Sequence, residues 1–107
     1  MGDLFRGTLD MLILRTLQAG PAHGFAIAQS IALRSDDVLL VEEGSLYPAL
    51  RRLEDRGWIA FAWGTTENNR RARFYSLTPL GRRGLAAECS RWAELVAAIA
   101  RVKETAS

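Results

Sequence analysis

The stretch from Gly44 to Leu77 constrains the fold most, because a short amphipathic helix runs there directly into a hairpin. At about 100° per residue, Leu46, Ala49, Leu50 and Leu53 share one narrow sector, while Tyr47, Pro48, Arg51, Arg52 and Asp55 point away from it. Glu42-Glu43-Gly44-Ser45 offers capping chemistry ahead of this helix. Pro48 is expected in its first turn, where a missing N–H costs nothing, and Gly57 closes it. In Trp58-Ile59-Ala60-Phe61-Ala62-Trp63 large residues alternate with Ala, the pattern of a half-buried strand. A polar turn from Gly64 to Arg71 separates it from Arg73-Phe74-Tyr75-Ser76-Leu77, which reads as the returning strand.

Two helices precede this unit. From Asp3 to Gln18 the residues Leu9, Leu12, Ile13, Thr16 and Leu17 recur at helical spacing, and Leu4, Phe5, Met11 and Leu14 widen the stripe almost all round. A surface helix needs only one apolar side, so the excess points to contact with a second chain as well as with its own core. Ala19-Gly20-Pro21 ends this helix. The next is expected from Gly24 to Arg34, with Phe25, Ile27, Ala28, Ile31 and Ala32 as its buried side and Asp36-Asp37 at its end. Val38-Leu39-Leu40-Val41 reads as a short extended run.

After the hairpin, Thr78-Pro79 has the chemistry of a helix start, and Leu85, Cys89, Trp92, Val96 and Ile99 follow at four-three spacing. That is a heptad seam. It calls either for an intrachain surface or for a second copy, and a helix this long exceeds what a small core needs as a cap. A homodimer in which the seam meets the first helix of the partner, with Leu9 and Leu12 contributing, buries both apolar surfaces.

The fold class expected is therefore mainly α with one small β-hairpin (α+β). Residues 1–78 form a winged helix-turn-helix and 79–107 a C-terminal dimerisation helix with a short tail. In that architecture the third helix enters the major groove of double-stranded DNA and the hairpin, or wing, touches backbone or minor groove.

Charge agrees with this placement. The chain of 107 residues carries a net charge of only +2, yet between Ala49 and Gly84 eight Arg face three acids. The remainder is net acidic. Of the 14 basic residues 13 are Arg, whose planar fork suits phosphates and guanine edges. One Cys excludes an intramolecular disulfide framework, and no Cys/His spacing suggests a metal site. With one His and scattered carboxylates there is little material for catalysis, so neither an enzyme nor a cofactor is expected. No apolar run is long enough for a membrane span and no signal peptide is evident, so a cytoplasmic protein is expected.

Four blocks in order resemble the PadR-like family of bacterial transcriptional regulators: GTLDMLIL (Gly7 to Leu14), GPAHGFAI (Gly20 to Ile27), GSLYPALRRLEDRGWI (Gly44 to Ile59) and ENNRRARFYSLTPLGRRGL (Glu67 to Leu85), with Trp92 beyond them. The resemblance implies a winged-helix dimer, usually a repressor, of the branch whose tail is a single helix. It matches Ser45, Tyr47, Pro48 and Arg51 to the family's recognition turn and Arg70, Arg71 and Arg73 to its basic wing, beside Arg52 and Asn69 as further DNA-facing candidates. Phe25 and Phe74 stand where many members have Tyr, so hydroxyl contacts made there in relatives are absent here. In some short-tailed members the residue matching Trp92 lines a pocket for planar drugs, which makes Trp92 a candidate effector site, against the alternative of a packed interface Trp.

The function expected is a homodimeric repressor on a pseudo-palindromic operator with half-sites about one helical turn apart. The alternative is a winged-helix dimer acting mainly as a small-molecule-binding or protein-interaction module. Other singular residues have plain structural readings. His23 is expected as a turn or cap residue, and Cys89 as a small buried apolar one, with a bridge across a twofold axis as the alternative. Trp58 and Trp63 are expected to support core and wing, Thr78 to cap, and Arg82 and Arg83 to be solvated or near flanking phosphate.

Overall fold

A computed structural model describes the backbone of residues 2–105 and the side chains of residues 7–104. Leu4 and Phe5, expected to widen the first apolar stripe, lie outside the described side chains. The elements are α1 (Gly2–Leu17), α2 (Gly24–Arg34), α3 (Glu43–Asp55), β1 (Ile59–Thr65), β2 (Arg71–Leu77) and α4 (Pro79–Thr105). This is the α+β winged-helix order expected from the sequence.

Helix α1 lies at the centre. Its Leu9, Ile13, Leu14 and Leu17 meet Ile27 and Ile31 of α2, the Leu46–Ala49–Leu50–Leu53 sector of α3, and Ile59, Tyr75 and Leu85 in one buried cluster, with Met11 and Leu12 packed against it. Each fully buried Leu or Ile contributes about 1.5–3 kcal/mol. Most of the apolar circumference of α1 is thus taken up within the chain, against α2, α3, α4 and β2. Of the residues that widen the stripe, Leu14 and Met11 find neighbours within the chain.

Three local expectations give way. Pro48 lies in the second turn of α3, since the helix begins at Glu43. Its missing N–H frees the Gly44 carbonyl, and Gly44 is exposed, so water can satisfy that group. The segment from Val38 to Val41 is irregular. Asp36 and Asp37 take φ of 52° and 64°, and the turn they make leaves the segment beside no strand edge. Phe25 is 67% exposed rather than buried, because it sits in the first turn of α2, away from the Ile27–Ile31 side.

The hairpin is antiparallel in the register Ile59↔Leu77, Phe61↔Tyr75, Trp63↔Arg73 and Thr65↔Arg71. One face therefore runs from the core residues Ile59 and Tyr75 out to Trp63, Arg73 and Arg71. The root of β2 is tied to the α1–α2 connection by two bonds, Ala22 N donating to the Tyr75 carbonyl (3.1 Å) and Tyr75 N to the Ala22 carbonyl (2.9 Å).

At the hairpin's exit, Thr78 Oγ1 donates to the Gly57 carbonyl (2.6 Å) and accepts from Gly81 N (3.0 Å), so Thr78 caps α4 and fastens it to the end of α3. Trp58 then lies directly on the first turns of α4. A Cβ at position 81 would stand 1.9 Å from the Trp58 carbonyl oxygen, and one at 84 would stand 2.6 Å from its ring. The pair of glycines gives α4 a seat that no other residue type allows.

Candidate nucleic-acid interface

An open cleft of about 900 Å³ lies between the start of α2, Tyr47 of α3 and the wing. Tyr47 is half exposed and leans across the start of α2, where a Cβ on Gly24 would come within 3.1 Å of its ring. Arg70, Arg71 and Arg73 of the wing line it as well, together with His23, Phe25 and Phe74. His23 caps α2, its Nδ1 accepting from Ala26 N at 3.3 Å, and its ring meets Phe74 edge-on at 5.3 Å and Phe25 in parallel at 6.4 Å. Glu67 is the one acid among the described residues of the lining, so the cleft is net basic with aromatic walls.

The wing holds its cations on rings. The Arg71 guanidinium stands 4.4 Å from the centroid of Trp63, and that of Arg73 4.6 Å from Phe61 and 5.4 Å from Trp63. Such contacts contribute about 0.5–1 kcal/mol at exposed sites and keep a flexible cation extended. The tip is a turn from Thr66 to Asn69, closed by Asn69 N donating to the Thr66 carbonyl at 2.9 Å. Asn69 takes the left-handed φ of 60°, which Asn tolerates better than most residues.

The sequence candidates divide accordingly. Tyr47, Arg70, Arg71 and Arg73 meet at the cleft, where Asn68 rather than Asn69 joins the lining. Ser45 is half-buried at the start of α3, and Pro48 and Arg51 are exposed on α3 beyond the cleft wall. Arg52 does not point to solvent. Its Nη2 donates to Asp10 Oδ1 on α1 at 2.9 Å. His23, Gly24, Phe25 and Phe74 are among the cleft residues that the sequence candidates did not include; for Phe25 the signal available was the Gly-Phe pair at a helix start, with an aromatic larger than its apolar neighbours.

The seam on α4 also divides. Leu85 is 4% exposed and, with Leu9 at 2%, belongs to the chain's own core, so these two offer a partner almost no surface. Cys89 and Leu12 are half-buried against the same core. Trp92, Val96 and Ile99, with Leu95, stay exposed. Between α1 and α4 a groove of about 320 Å³ is lined by Gly7, Thr8, Met11, Glu88, Arg91, Trp92 and Leu95. Glu88 accepts from Arg91 there at 2.5 Å. No group of three potential metal ligands occurs among the described residues, and none of their helices is long and apolar enough to cross a membrane.

Residues 13–87 match the transcriptional regulator PadR-like family. A curated relative, protein X of Lysinibacillus sphaericus, is 31% identical over 93 residues, covering 87% of this chain and 85% of its own. A solved structure of a transcriptional regulator from Clostridium thermocellum superposes with a TM-score of 0.83 at 31% identity, over 92% of this chain and 96% of that one. A PadR family transcriptional regulator from Eggerthella lenta gives a TM-score of 0.79 at 34% identity, over 96% and 88% respectively.

Proposed function

Because this chain belongs to the PadR-like family of transcriptional regulators, we propose that it acts as a homodimeric repressor that binds a pseudo-palindromic site in double-stranded DNA. The observation that carries the reading is the cleft, which is lined both by Tyr47 of α3 and by Arg70, Arg71 and Arg73 of the wing. A phosphate strand fits between them: the arginines neutralise it, the Tyr47 hydroxyl donates to it, and Ser45, Pro48 and Arg51 on the exposed side of α3 lie towards the bases. Residues 1–78 then serve DNA and 79–107 pairing.

Pairing is supported by Trp92, Leu95, Val96 and Ile99, which extend along α4 past the chain's own core. Burying this stripe against a second copy places two α3 helices on one face of the duplex. The groove beside Trp92 is of the size that takes a small planar ligand, which favours an effector acting at the same interface.

The test is salt dependence. Binding to the DNA upstream of the protein's own gene should weaken steeply as salt rises, since several phosphate contacts each release counterions. A flat response, or no binding at low salt, overturns the DNA reading.

A further inference from the structure

We infer that Asp10 is a positioning residue for DNA recognition: through Arg52 it sets the roll of α3 against α1, and thereby the direction in which Tyr47 and Arg51 face. The inference rests on the DNA-binding reading above and goes beyond it, since Asp10 is not among the residues that line the cleft.

The geometry is specific. Asp10 is 6% exposed, the one charged or polar residue among the described buried ones, and the Arg52 guanidinium reaches it at 2.9 Å from 42 positions away. On α3, Arg52 stands between exposed Arg51 and fully buried Leu53, so the ion pair occupies the flank where the helix turns from core to solvent. Three helices bear on that carboxylate: Arg52 of α3 and Arg56 just past its end act on it, and Glu88 from α4 with the opposite sign.

A buried ion pair is in general weak evidence for stability. Burial raises the Asp10 carboxyl above its ordinary range despite the arginine beside it, so desolvation outweighs the attraction. Buried pairs of this kind are commonly replaced by apolar residues at no loss of stability. What a carboxylate and a guanidinium supply instead is direction. The apolar sector of α3, all Leu and Ala, holds the helix against α1 yet tolerates small rotations, because such cores lose uniqueness before stability. An ion pair at the flank removes that freedom.

The experiment compares the wild type, Asp10→Asn, Asp10→Glu, Arg52→Met and the double variant Asp10→Leu/Arg52→Met. Each is measured against a duplex enriched by the wild type from random-sequence DNA and against a scrambled duplex of the same length. The double variant should melt no lower than the wild type, yet its preference for the enriched duplex should fall about tenfold, with scrambled-duplex affinity and the salt slope unchanged. Asp10→Glu, which keeps a carboxylate, should retain more of that preference than Asp10→Asn. An undiminished preference in the double variant overturns the inference. So does a salt slope reduced by about one in Arg52→Met, which would make Arg52 a phosphate contact. Should the wild type enrich no duplex, the DNA reading itself falls.

Discussion

The Arg71 guanidinium lies 4.4 Å from the ring centroid of Trp63, one strand across and two register positions along. A cation held this way is extended before any ligand arrives, so less side-chain freedom is lost on binding. Trp63→Ala should therefore weaken DNA binding although Trp63 carries no charge. A loss of about threefold to tenfold is expected in fluorescence anisotropy, with the salt slope unchanged. Arg71→Ala should lower both the affinity and the slope, the latter by about one.

Gly81→Ala tests the seat of α4. On helix propensity alone, Ala is favoured over Gly by about 1 kcal/mol. Here the added methyl would stand 1.9 Å from the Trp58 carbonyl oxygen, which is backbone and cannot swing aside. The sign should reverse, with a loss of about 1–3 kcal/mol in urea unfolding, in the range of overpacked sites. Gly44→Ala, which meets nothing within 4 Å, should be neutral or mildly stabilising.

The divided seam predicts two different failures. Val96→Asp changes a residue 48% exposed on α4 and should leave a folded monomer in sedimentation experiments. Leu85→Asp changes a residue 4% exposed in the core and should unfold the chain, since a buried charge without a partner costs several kcal/mol. A dimeric Val96→Asp protein would show that the exposed stripe is not the pairing surface.

Asp10 gives the protein a pH dependence of a particular sign. Its folded-state carboxyl is raised above the ordinary 3.8 by burial, so the folded chain holds that proton more tightly than the unfolded one. Its contribution to stability is fully present at low pH and is lost as pH rises through the raised value. Relative to Asp10→Asn, the wild type should gain stability as pH falls from neutral towards 4, read from urea midpoints. A difference that does not change with pH, or one of the opposite sign, would contradict the burial effect.

The helices and hairpin were legible because each carries a strong local signal: the one-sided Leu46–Leu53 sector, the alternation from Trp58 to Trp63, and the Thr-Pro start of α4. The basic wing and Tyr47 were legible as well, as a cluster of residue types. What the sequence concealed is pairwise. Arg52 looks like its neighbour Arg51 in any pattern of charges, and only the packing of α1 turns it inward. Leu85 and Ile99 share a heptad phase, but the core ends between them, so one is internal and the other exposed. Phe25 follows the apolar rule of a buried helix side and breaks it, because the first turn of α2 opens onto the cleft.

The glycine seat beneath Trp58 also makes α4 a lever with a hard pivot. Beyond Cys89 the helix runs through Thr105, about 24 Å of arm at 1.5 Å per residue, while its base lies backbone to backbone against the residue that leads into the wing. A tilt of about 5° displaces the far end by roughly 2 Å over such an arm. With no side chain at positions 81 and 84 to act as a cushion, Trp58 and the base of α4 have no slack between them.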